Sequence, residues 1–232
     1  MPTNSPAAGA AETSWRDRAI ERSLQSARAR AVSRSDRFIQ AAIQILSETG
    51  RTDFTVQELI DRSRTSLRSF YQHFSGKEEL LLALFEEVIS GSVADWRAET
   101  ATIDDPVDAL HVVLERIHRQ AGDPKGAGLN RALSVYHLQL ADSRPSEYAR
   151  VLAPLRELIS EIVRRGVEGG SFRSDIEPET LAIIMMQTLV GAAHMHALGA
   201  ELGGEPLDSE QLWDFCTGGL FGPTPRKKGT KA

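Results

Sequence analysis

Between Thr55 and Glu78 the chain carries three helix-start signals in 24 residues, and little else that binds it to any other fold constrains it as tightly. Thr55 can cap a helix, with Glu58 three residues on to close a capping box and Phe54 able to staple to Leu59. Ser66 can cap the next helix, which runs to about Phe74, so the helix begun at Thr55 ends near Ser63 and only a few residues separate the two. Ser75 and Glu78 make a further capping box, opening a fourth helix along Leu80, Leu81, Leu84, Phe85, Val88 and Ile89. Ahead of all three, Phe38, Ala41, Ala42, Ile45 and Leu46 recur at helical spacing over 35–49, with Gly50 as a stop. Helices joined by so little chain bury their apolar faces against one another, and the closely spaced middle pair reads as a helix-turn-helix.

The rest of the 232 residues continues the helical pattern. Asp105-Pro106 starts a helix to about Ala121; Leu129 to Ala141 and Ser146 to Glu168 follow, the latter bent or entered at Pro154; Pro178 opens another and Asp208 or Ser209 a last one. Alternating Val, Ile and Thr runs between turns are missing, so an all-α fold of about nine helices is expected. The stretch from Thr180 to Ala200 is uncharged and long enough to span a bilayer, but it holds Gln187, Thr188, His194 and His196 and is flanked by Glu179 and Glu201. A buried interface helix is the better reading, and no membrane is expected as a partner. The N-terminus lacks an apolar segment and the single Cys216 has no partner, so a cytoplasmic setting is expected.

Charge divides the chain. The formal net of -5 conceals +4 over residues 1–77, from twelve Arg and Lys against eight Asp and Glu, and -9 over the remainder. A basic end on an acidic body suggests that one end alone meets a polyanion. Residues 1–34 read as a flexible Arg-bearing arm, 35–80 as the helix-turn-helix unit, 81–222 as a larger helical unit, and 223–232 as a disordered basic tail.

The third helix explains the polyanion. Phe70 and Phe74 lie four apart and can pack inward, leaving Leu67, Arg68, Tyr71 and Gln72 on the opposite side or its margins. Such a helix can enter a major groove, where Arg reads guanine, Gln adenine and Leu the thymine methyl. Tyr71, His73 and Lys77 suit phosphate oxygens. Phe54-Thr55-Val56, Phe70-Tyr71-x-His73-Phe74 and Lys77-Glu78-x-Leu80 together resemble the TetR family of bacterial transcriptional regulators, over roughly residues 35–85. The resemblance implies backbone contacts from Thr55, Gln57, Tyr71, His73 and Lys77, and places Ser66, Leu67, Arg68 and Gln72 at or beside positions that approach bases. It also implies a double-stranded DNA operator and a small-molecule effector. Where the family usually has a small residue, Gly and an apolar residue, this chain has Ser63, Arg64 and Thr65. A left-handed Arg64 costs on the order of 1 kcal/mol relative to Gly, and its side chain is available for an added DNA contact.

For the larger unit the resemblance implies a pocket and a dimer built on the last two helices. The uncharged helix with Met185, Met186, Leu189, Val190 and Ala193 independently calls for more cover than one chain supplies, and a symmetric partner supplies it. Trp96, His111, Tyr136, His137, Tyr148, Met185 and Met186 are the candidate ligand-binding residues, suiting a mainly hydrophobic effector whose binding releases a homodimeric repressor. No catalytic residues, cofactor or metal site are expected: His111 and His118 are seven apart, His194 and His196 face different ways, and phosphate loops and nucleophile elbows are missing. The rival readings are an all-helical carrier of apolar ligands without DNA binding, and a regulator answering a protein partner.

Overall fold

The computed structural model describes residues 34–200 and 207–221, together with Val32 and Gly204. Most of the N-terminal arm and the whole basic tail lie outside the described residues. Among the described residues there are nine helices and no strand. These are α1 (34–49), α2 (Val56–Ser63), α3 (Leu67–Tyr71), α4 (Lys77–Thr100), α5 (Pro106–Gly122), α6 (Ala127–Ser143), α7 (Pro145–Glu168), α8 (Pro178–Leu198) and α9 (Ser209–Leu220).

Local chemistry sets the boundaries of the head. Gly50, at φ 65°, ends α1 with its N–H on the Leu46 carbonyl. The Thr55–Glu58 capping box forms as expected: the Glu58 N–H donates to Thr55 Oγ1 at 3.2 Å and the Thr55 N–H to Glu58 Oε2 at 2.6 Å. Those hydrogen bonds hold the Glu58 carboxyl below its usual pKa. Ser66 Oγ accepts from the Ser69 N–H at 3.2 Å and caps α3.

Two boundaries differ from expectation. The third helix stops at Tyr71, before Phe74, because the His73 ring Nδ1–H donates to the Ser69 carbonyl at 3.0 Å while the His73 backbone N–H tightens onto Phe70. At the next start the cap is Gly76, which makes no side-chain bond, and the expected Ser75–Glu78 box does not form. Glu79 instead receives the Ser75 N–H at 2.6 Å and its carboxyl is held below its usual pKa by that bond.

Two apolar clusters organise the chain. The first gathers Phe38, Leu46, Leu59, Phe70 and Phe74 of the head with Leu80, Leu84 and Phe85 of α4, and continues into Tyr136 and Leu140 of α6. The second joins the C-terminal half of α4 to α5, α7, α8 and α9 through Val93, Leu110, Leu114, Ile159, Leu189 and Leu212. The expected boundary at residue 80 therefore falls inside α4, which runs unbroken through both clusters. Head and body also touch directly at Gly128 of α6, where an added Cβ would stand 2.1 Å from the Ser47 carbonyl oxygen of α1. Only a residue without a side chain allows that approach.

Helix α8 is long and apolar enough to cross a membrane by length and composition. One face, with Leu181, Ala182, Met185 and Leu189, is buried in the second cluster. The other leaves Ile183, Ile184 and Met195 exposed, and α9 beside it leaves Phe215 73% exposed.

Candidate DNA-reading face and effector pocket

Three aromatic rings anchor α3. Phe70 and Phe74, both buried, pack edge-on against Phe38 of α1 with centroids 5.5 and 6.1 Å away. With the inner side held in this way, the outer side is presented to solvent: Leu67 is 50% exposed, Tyr71 56%, and Ser66, Arg68 and Gln72 are also exposed. Tyr71 is braced edge-on against Phe70 at 5.3 Å. Thr55 and Gln57 are exposed at the start of α2, where Gln57 Nε2 donates to Asp61 Oδ1 at 2.9 Å. His73 and Lys77 are half-buried; the Lys77 ammonium lies 5.6 Å from the Phe54 ring centroid.

Arg64 sits at φ 52°, ψ 47°, the sole non-glycine with positive φ among the described residues. Its N–H donates to the Ile60 carbonyl, as does that of Thr65 at 3.2 Å, closing α2 in the manner usually left to glycine. The strained turn brings Arg64 to a cleft of about 370 Å³ shared with Arg34, Arg37, Arg68, Ser66 and Gln72. Arg34 and Arg37 are exposed on the first turns of α1, and the sequence reading had not named them. Their spacing of three on one helix face was the available signal, but only the packing of α1 against α3 places them beside Arg64. Bidentate pairing of Arg62 with Glu48, at 2.6 and 2.7 Å, fastens α2 to α1.

The body holds a cavity of about 120 Å³ between α4, α5, α6, α7 and α8. Its wall is mainly apolar, with Phe85, Ile89, Leu133, Leu152 and Val190, interrupted by Asn130, Ser134, His137 and His194. Tyr148 Oη and His137 Nε2 share a hydrogen bond of 2.8 Å, and the His137 and His194 ring centroids lie 4.0 Å apart. Burial, with His194 adding to it, pushes His137 down to about 3, and burial also lowers His194, so both rings are neutral near neutral pH. A wider cleft of about 640 Å³ adjoins the cavity through Trp96 and Gln120, and Arg116, His118, Arg119 and His196 line it.

Of the seven ligand candidates, Trp96 and His137 line the cavity and Tyr148 stands directly behind His137. Tyr136 is fully buried in the first cluster, its hydroxyl 3.4 Å from the Glu78 carbonyl, and burial pushes that hydroxyl up to about 12. His111 stacks on Trp213. Met185 is buried among the second cluster and Met186 packs partly buried against it, both away from the cavity wall. The sequence reading did not place His194 at a pocket; its polar ring on an uncharged helix was the available mark.

An exposed short helix locked onto a small aromatic core, carried by a helical body with a cavity, is the arrangement of a helix-turn-helix regulator. Residues 38–84 match the family of bacterial regulatory proteins, tetR family. The match is confined to the head, and the relatives that share more of the chain are transcriptional regulators. It is 23% identical to the HTH-type transcriptional repressor KstR2 of Rhodococcus jostii over 190 residues, covering 82% of this chain and 92% of that one. The HTH-type transcriptional regulator TcmR of Streptomyces glaucescens is 22% identical over 64% of this chain and 66% of its own length. Among solved structures, the transcriptional regulator FadR from Bacillus subtilis in complex with stearoyl-CoA has the same fold, with a TM-score of 0.65 at 17% identity over 79% of this chain and 97% of that one. Regulators of this family bind operator DNA and small-molecule effectors and act as dimers.

Proposed function

We propose that the chain is a cytoplasmic homodimeric repressor that leaves its operator when an amphiphilic molecule, mainly hydrophobic, enters the body. The exposed face of α3 carries this reading: Leu67, Arg68, Tyr71 and Gln72 face outward only because Phe70 and Phe74 are fastened to Phe38. In it Arg68 and Gln72 meet base edges with Leu67 and Ser66, while Thr55, Gln57, Arg64, Tyr71, His73 and Lys77 hold the phosphates.

The exposed side of α8 and α9, with Ile184 and Phe215 about a groove of about 580 Å³, is the surface on which the twin helices sit. An apolar face of this kind supports a symmetric dimer, and two heads about one DNA turn apart double the contacts. The effector places an apolar group in the cavity beside His137 and His194, and an anionic portion in the adjoining cleft near Arg116, Arg119 and His118. Stearoyl-CoA, the ligand in the Bacillus FadR structure, has that division of polarity. Nothing in the relatives favours a carrier that does not bind DNA.

Fluorescence anisotropy on DNA from upstream of the gene tests the reading. Saturable binding that weakens steeply with salt is expected. Arg68→Ala and Tyr71→Ala should each weaken it with unchanged circular dichroism, and unchanged affinity in both overturns the assignment of α3.

A further inference from the structure

His111 of α5 is poised differently from the other histidines of the body. Its ring lies nearly parallel to the Trp213 indole of α9, at 20° with centroids 4.5 Å apart, so the stack fixes the plane in which its nitrogens point. Nε2 is shielded from solvent and has no hydrogen-bond partner among the described residues. A shielded ring nitrogen left without a partner is uncommon and calls for a missing neighbour. Two carboxylates stand beside the ring: Glu115, one turn further along the same face of α5, and Glu210, in the first turn of α9. One ligand atom from each of the three lies within 4.8 Å of the other two.

We propose that His111, Glu115 and Glu210 bind a single divalent transition-metal ion, zinc fitting best, which bridges α5 to α9. In a tetrahedral zinc site with bonds of about 2.0–2.2 Å the ligand atoms sit about 3.3–3.6 Å apart. The present spacing, within 4.8 Å, is close to that value, and Glu210, being exposed, is free to adjust. One imidazole and two carboxylates suit a borderline ion, whereas calcium takes six to eight oxygens and magnesium keeps most of its waters. The competing partner is weak: Arg119, itself exposed, lies 3.5 Å from Glu115 in a pair four residues apart, of the kind that contributes little. Three protein ligands leave a fourth position for water. The bridge ties the first turn of α9 to the body, and on the dimer proposed above it stiffens one of the two helices facing the twin subunit; the ion site itself does not depend on that dimer.

Cobalt titration of the full chain, followed by its visible absorption and then displaced with zinc, tests the site. One cobalt per chain is expected, with a rise in melting temperature on adding zinc. His111→Ala and Glu210→Gln should each weaken affinity roughly tenfold or more, and exposed Glu210 can be changed without disturbing the core. The alternative place for an ion is the His118–His196 pair, whose rings lie 5.6 Å apart, and His196→Ala should leave binding unchanged. Failure to bind one equivalent, full binding in both His111→Ala and Glu210→Gln, or loss of binding in His196→Ala overturns the proposal.

Discussion

Arg64→Gly should make the protein more stable and a poorer DNA binder at once. Arg64 occupies the left-handed region at φ 52°, where a residue with a Cβ costs roughly 1–2 kcal/mol. Glycine removes that strain but gains unfolded-state freedom worth roughly 0.5–1 kcal/mol, so a net gain between about 0 and 1.5 kcal/mol remains, centred at about 0.7. For a chain of this length that is a rise of roughly 1–4 °C in melting temperature at fixed protein concentration. The guanidinium that is lost belongs to the cleft shared with Arg34, Arg37 and Arg68. One phosphate contact fewer in each head lowers the slope of log affinity against log salt by about 0.9, or nearly 2 for a dimer on two half-sites. Arg64→Ala separates the two effects, because it drops the charge and keeps the strain: affinity falls as for Gly with no gain in stability. A lower melting temperature for Arg64→Gly refutes the strain argument, and an unchanged salt slope in both variants refutes the phosphate contact.

Burial depresses His137 to about 3, so between that value and the ordinary 6.5 the unfolded chain binds a proton that the folded chain refuses. It therefore costs nothing above about pH 6.5 and destabilises the fold progressively below it, by about 2 kcal/mol at pH 5; urea unfolding at pH 7.5 and 5.0 should show this loss, reduced in His137→Gln. Ile184→Arg or Phe215→Glu places a charge on the exposed face of α8 or α9, and sedimentation should find monomers that keep their helicity and lose operator binding. Gly128→Ala drives a methyl group to 2.1 Å from the Ser47 carbonyl, and the overpacking should cost roughly 1–3 kcal/mol in thermal unfolding; an unchanged melting temperature means that α1 and α6 separate freely.

Local signals were legible wherever the deciding partner is near in sequence. Thr55 with Glu58, Ser66 with Ser69, and Asp105, whose Oδ1 accepts the Val107 N–H at 2.8 Å, all cap their helices as their spacing predicts. Ser75 failed because two carboxylates compete for one N–H, and Glu79 takes it where the pattern favoured Glu78. The end of α3 was hidden for a similar reason: the His73 ring captures the carbonyl that its own backbone N–H would otherwise take, and no propensity encodes that exchange. The cavity was harder still, since periodicity shows which side of a helix is apolar but not which helix it meets. Tyr136 and His137 are adjacent in sequence and both buried, yet one fills the head cluster beneath Glu78 and the other faces the cavity.

Phe85 shows why those two environments matter together. It belongs to the buried cluster of Phe38 and Phe70, meets Tyr136 and His137 edge-on at 5.9 Å each, and also lines the cavity. Close-packed interiors transmit a displacement rather than absorb it. A group that fills the cavity beside His137 and crowds Phe85 therefore bears on α4, whose first turn carries Lys77 next to the reading helix. On the proposed dimer, only a difference in effector affinity between two head positions is then needed to change the spacing of its heads on DNA.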